Sequence, residues 1–265
     1  DEIEISFAVE KDCGESILKT IIKDNGHGMD IDGLQSFFDL GNSTRREDDE
    51  AIGEKGHGTK VYLNSSNIQV VTIHDGKKFT AIMDAPLRKL HNHETPDVEV
   101  TEEETTERNG TTIIITGYNN NRRDKFTHSH LKDYILWFTK MGSCELLFKE
   151  NKHENAILKL KGVDKKETER IHFGHIFPND SKKVELLFEE FLAEAPKHYC
   201  KRIVKSGNLD NYPEIHYDAI FVVEGVKVKY GYNPMIRHSG YSAPSGAYTI
   251  QERYGLWVCK DFIPI

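Results

Sequence analysis

Two short stretches of this chain carry residue types that could do chemistry: IIKDNGHGMD at residues 21–30 and AIGEKGHGTKV at residues 51–61. The first sets a carboxylate, Asp24, just ahead of Gly26, Gly28 and Met29. A carboxylate accepts a hydrogen bond from an amine such as the adenine amino group, and glycines let a flat ring come close to the backbone. The second stretch gathers Gly53, Gly56 and Gly58 around Lys55 and His57 and runs on into Thr59 and Lys60. A glycine-rich turn that opens a helix offers phosphates free backbone N–H groups and the positive end of the helix dipole. Together the two stretches suggest a site for one molecule of ATP.

The residues themselves leave a blander reading open for each stretch. Asp-Asn-Gly is also a common hairpin signal, and the second cluster could be a flexible hinge. It is not a P-loop, which requires Gly-Lys followed by Ser or Thr. Here Gly58 is followed by Thr59-Lys60, in the reverse order, and the cluster comes after an acidic loop instead of a strand.

The elements that must position these residues follow from apolar periodicity. Strands are predicted over 3–9, 16–23, 67–74, 78–84, 98–101 and 111–116, with Gly14 turning the first two into a hairpin. Asp24, following Ile21 and Ile22, then stands at the end of a buried strand. Helices are predicted over 31–39 and 58–64, and the polar segment 41–50, GNSTRREDDE, reads as a mobile loop between them. A polar break at 119–123 closes the first domain. An amphipathic helix over 128–141 comes next, with Leu131, Tyr134, Ile135 and Phe138 on one face. The second domain is read as strands at 144–149 and 156–161, a helix near 183–195, and strands at 215–223 and 226–232 joined around 224–225. A last strand covers 256–260, and the loop 235–246 is expected to await a partner.

Bulk properties bound the function. A chain of 265 residues has room for one large domain or two ordinary ones, and 37% hydrophobic residues support a genuine core. A net charge of −8 argues against a general nucleic-acid binder, though not against a local basic groove. Arg45–Arg46 and Arg122–Arg123 read as solvated loop charges. The four cysteines are dispersed without metal spacing, which fits reduced thiols in a cytoplasmic protein. His91 with His93, or His128 with His130, could pair on a metal, but solvated loop imidazoles are the plainer expectation. No apolar run approaches the about 20 residues of a membrane span, so no membrane partner is expected. The opening alternation of Ile3, Ile5, Phe7 and Val9 starts inside a strand, which implies residues ahead of Asp1.

DNGHGM, IGEKGHGTK and the later Gly110-Thr111 of GTTIIIT, in that order, resemble three of the four motifs of the GHKL ATPase superfamily. That group includes gyrase B, the ninety-kilodalton heat-shock chaperones, MutL, MORC proteins and histidine kinases. The resemblance implies an α+β fold: a two-layer sandwich of Bergerat type over residues 1–125, followed by a smaller α/β transducer-like domain over 126–265. It implies that Asp24 binds the adenine amino group directly and, with Thr111, through water. Gly26, Gly28 and Met29 would shape the adenine pocket, while Gly53, Lys55, Gly56, His57, Gly58, Thr59 and Lys60 would wrap the phosphates. Mg²⁺ would accompany ATP, and nucleotide would drive homodimerisation, with DNA or a partner protein as further ligands. The remaining motif, a helix with a water-activating Glu and a magnesium-binding Asn, would lie ahead of Asp1, so no catalytic residue is expected in this chain. A gyrase, MutL or MORC-type ATPase in a DNA-related or defence process is the main expectation. A nucleotide-binding scaffold without hydrolysis and a heat-shock-90-like chaperone are the alternatives.

Overall fold

The computed structural model describes residues 2–12, 14–39, 58–148, 153–174, 198–228, 231–232 and 258–264. The chain divides into two compact units, Asp1–His128 with Ala156–Ile171, and Ser129–Asn155 with His172–Ile265.

The first unit is built on strands β1 (Glu2–Asp12), β2 (Glu15–Asp24), β3 (Asn67–His74), β4 (Lys77–Asp84), β5 (Glu99–Glu104), β6 (Gly110–Thr116), β7 (Ile157–Lys161) and β8 (Glu169–His172). They form one eight-stranded mixed sheet in the order β5-β4-β3-β6-β2-β1-β7-β8. β1 and β2 pair antiparallel across the Gly14 turn. β3 and β4 do so across Asp75-Gly76, both at positive φ, the conformation that a two-residue hairpin turn requires. β7 runs parallel to β1, and Lys159 Nζ donates to Glu2 Oε1 at 2.6 Å across that pair. The strand expected at 156–161 in a second domain thus belongs to the first sheet.

One face of β3 and β4 is apolar in strict alternation. Ile68, Val70, Phe79, Ala81 and Met83 are buried with Leu34 of helix α1 (Ile31–Phe38). Burying Leu34, 1% exposed, contributes about 2 kcal/mol. Asp30 caps the start of α1, its Oδ1 accepting from Gly33 N at 2.7 Å. A short 3₁₀ turn, Gly58–Leu63, stands where a helix over 58–64 was expected. A further helix that periodicity does not announce, α2 (Pro86–His91), starts with proline at its first turn.

The second unit contains most of α3 (His128–Phe138), which ends earlier than the expected 141. Thr139 turns extended and its Oγ1 donates to Ile135 O at 2.8 Å, a local bond that competes with helix continuation. Of the strand expected over 144–149, the described residues 144–148 form none; Glu145–Leu147 is a 3₁₀ turn, and Cys144 N donates to Phe262 O at 3.1 Å. A short apolar run such as Leu146-Leu147-Phe148 does not by its periodicity distinguish strand from turn.

The hairpin expected around 224–225 is also displaced. β9 (His198–Leu209) and β10 (Tyr212–Val228) pair antiparallel around Asp210-Asn211, and Glu224 and Gly225 lie inside β10 opposite Cys200 and Tyr199. Asp-Asn supplies the turn chemistry, while Gly225 sits in a strand interior that it does not interrupt. The last pair is β12 (Cys259–Lys260) with β13 (Ile263–Pro264), and β11 (Gly231–Tyr232) pairs with the end of β10. The polar loop at 41–50, the helix near 183–195 and the loop at 235–246 lie outside the described residues. Among the described residues no helix is long and apolar enough to cross a membrane.

Candidate functional site

The register of three neighbouring strands builds the site. Asp24 at the end of β2 pairs with Thr111 at the start of β6, and Thr111 pairs with Thr72 of β3. Directly opposed residues share a face of the sheet, so Asp24, Thr111 and Thr72 form one polar row across β2, β6 and β3. The Thr72 and Thr111 hydroxyl oxygens are 3.2 Å apart, and both side chains are buried.

Beyond Asp24 the chain does not return as a hairpin, so the hairpin reading of Asp-Asn-Gly does not hold. Instead residues 25–30 run along the end of β3 into α1. Gly26 N donates to Asp24 Oδ1 at 2.8 Å, closing a side-chain-capped turn. Asn25 Oδ1 accepts from Glu2 N at 2.9 Å, which ties the loop to β1. His27 O lies 2.9 Å from His74 Nδ1, and Met29 N donates to Thr72 Oγ1 at 2.7 Å. Gly28 sits at φ +75°, and a Cβ there would lie 1.9 Å from Ile73 O. No other residue fits that position. Gly110 is constrained in the same way, because a Cβ on it would lie 2.6 Å from Asp24 O. The glycines therefore let loop, β2 and β3 close around the polar row, with Met29 packed against the apolar cluster below.

The second motif is described only at its end. Thr59 Oγ1 donates to Phe37 O at 3.0 Å, and Lys60 Nζ donates to Phe37 O at 2.5 Å and Ser36 O at 3.3 Å. These two side chains satisfy the last carbonyls of α1, where the helix dipole favours a cation. Burial holds the Lys60 pKa below the ordinary lysine value, with the nearby Asp39 carboxylate opposing that shift. Gly58 opens this turn. Gly53, Lys55, Gly56 and His57 lie outside the described residues.

Two residues of the site escape motif reading. Thr72 and His74 hold the loop, and neither belongs to a glycine cluster. A signal for Thr72 does exist: it falls on the alternation of Ile68 and Val70, so it is a hydroxyl on the buried face of an otherwise apolar strand.

His128 departs from the expectation of a solvated imidazole. It is buried, with Nε2 2.6 Å from Glu169 Oε2, while its backbone N donates to Asp164 Oδ1 at 2.6 Å. Among the described residues no group of three or more potential metal-ligating side chains comes together.

No curated protein matches this chain. Among solved structures, the ATPase and transducer domains of DNA topoisomerase II from Balamuthia mandrillaris align at 17% identity and TM-score 0.34. The match covers 45% of this chain and 32% of that one. The ATPase region of Saccharomyces cerevisiae topoisomerase II aligns at 15% identity and TM-score 0.34, with the same two coverages. The chain thus spans about a third of the length of these structures. The family model for the histidine kinase-, DNA gyrase B- and HSP90-like ATPases matches residues 1–115, the segment that carries Asp24, Gly28 and Thr111.

Proposed function

We propose that this chain binds ATP at the Asp24–Thr111 row and serves as the nucleotide-operated part of a hydrolysing dimerisation clamp of MutL or MORC type. The observation that carries the reading is the row itself. Asp24 uses Oδ1 to cap its own turn, and among the described residues Oδ2 carries no bond, so an acceptor is left for an exocyclic amine. Gly26, Gly28 and Met29 form the loop against which the ring would lie. Gly53 to Lys60 would follow the phosphates, which requires Thr59 and Lys60 to leave the α1 carbonyls or to serve from there. Magnesium, held by ATP, would neutralise charge on the phosphates.

The clamp works by differential affinity: ATP favours the associated state over the separate one, and hydrolysis removes that preference. A DNA-related or defence process is the setting most consistent with this branch of the family. Sedimentation of the protein with and without a non-hydrolysable ATP analogue tests the clamp. A mass that doubles only with the analogue is expected. A mass unchanged by saturating analogue contradicts dimerisation while leaving ATP binding intact.

A further inference from the structure

We propose that Thr72 fixes the direction of the hydrogen bonds in the pocket and, through Thr111, its preference for adenine over guanine; the inference rests on the ATP reading above. Thr72 is completely buried, at 0% exposure. Its Oγ1 accepts from Met29 N at 2.7 Å, and the other hydroxyl within reach is Thr111 Oγ1 at 3.2 Å. A backbone N–H only donates, so it offers the Thr72 proton no acceptor. Leaving a buried hydroxyl proton without an acceptor incurs its full desolvation penalty. The Thr72 proton therefore goes to Thr111, and Thr111 accepts it.

The consequence falls on the other side of Thr111. Its own proton is turned away from Thr72 and needs an acceptor next to Asp24, its cross-strand neighbour. Asp24 supplies acceptor oxygens, so the pair asks one edge of a ligand for a donor at Asp24 and an acceptor at Thr111. Adenine meets that demand with its amino group beside ring N1. Guanine presents a carbonyl oxygen beside an N1–H, the reverse order. Without the Thr72 proton the Thr111 hydroxyl can rotate to donate or accept, and discrimination falls back on Asp24 alone. Thr72 does not touch the base; it is a positioning residue.

The test is calorimetric titration of ADP and of GDP into the whole chain, read as the ratio of the two affinities. That ratio is insensitive to a general loosening of the pocket. Wild type is expected to prefer ADP. Thr72→Val is expected to lower the preference by about tenfold, the worth of one hydrogen bond, and Thr72→Ser is expected to keep it. Thr72→Cys, with a weak donor in place of the hydroxyl, is the second variant should the valine fail to fold, and it is expected to shift the ratio the same way. A wild-type ratio in the valine or cysteine variant overturns the role of Thr72 while the ATP reading stands. A serine variant that behaves like the valine also overturns it, because shape and not the proton would then be responsible. Wild type that binds neither nucleotide overturns the ATP reading and this inference together.

Discussion

Strand β3 of the sheet that carries the polar row and the ribbon formed by β9 and β10 both rest on antiparallel pairing, yet they treat their side chains in opposite ways. In β3 every second residue from Ile68 to Thr72 is buried, and β4 answers with Phe79, Ala81 and Met83. In the ribbon most side chains from Ile203 to Phe221 are exposed, including Tyr212 and Phe221 at 58% each. A one-residue slip in β3 would turn its whole apolar set to the other face, so burial pins its register. The ribbon has no such constraint over these residues, and a two-stranded hairpin alone is marginal in water. The difference teaches where precision is available. Asp24, Thr111 and Thr72 line up because three strands share a register fixed by burial.

That comparison can be broken by mutation. Gly28→Ala sets a methyl against Ile73 O at a positive φ and should show the largest effect, a loss of about 4 kcal/mol or more with nucleotide binding abolished. Chemical denaturation measures it; a variant as stable as wild type would refute the close packing of loop on β3. Leu34→Ala should cost about 3 kcal/mol through the cavity it leaves. Ile215→Ala in the ribbon should stay within about 0.5 kcal/mol. Equal losses for these two would erase the contrast between sheet and ribbon.

Smaller effects sharpen the same picture. Asp30→Ala removes the cap of α1 and should cost about 1 kcal/mol, with the loop 25–30 exchanging its amide protons faster. The smallest effect concerns pH. The hydrogen bond from Lys159 holds the Glu2 carboxyl below the usual glutamate value. Its contribution to stability is therefore present above the ordinary glutamate pKa and is lost as pH falls through the depressed folded value. Both groups are substantially solvated, so the change is small. Wild type should lose slightly more stability than Glu2→Gln on acidification, measured by denaturant midpoints; identical slopes would remove the bridge between β1 and β7 from the account.

The first sheet was largely legible because alternation and burial agree in it. The strand expected at 67–74 is β3 as observed, and the Gly14 hairpin and α1 sit where the pattern puts them. What was not legible depends on long-range partners. Nothing local tells that Ile157–Lys161 adds in parallel to β1, some 150 residues earlier. Nor does His128 announce a buried pairing with Glu169, far along the chain. β9 was missed and the hairpin turn misplaced because an exposed ribbon carries no apolar alternation, and Gly225 looked like a turn while Asp210-Asn211 made one. In the candidate site, motif spacing singles out Asp24, Gly26, Gly28, Met29 and Thr111 as the residues expected to hold nucleotide. Thr72 and His74 act through register and backbone contacts, which a motif does not encode.

The central claim is that Asp24 reads the base of a bound ATP. Its most direct test is calorimetric titration of ATP into wild type and Asp24→Asn, with circular dichroism as the check on folding. The account predicts saturable binding by the wild type and loss of binding, by about tenfold or more, in a variant whose fold is retained. Equal affinity in the two proteins would contradict it.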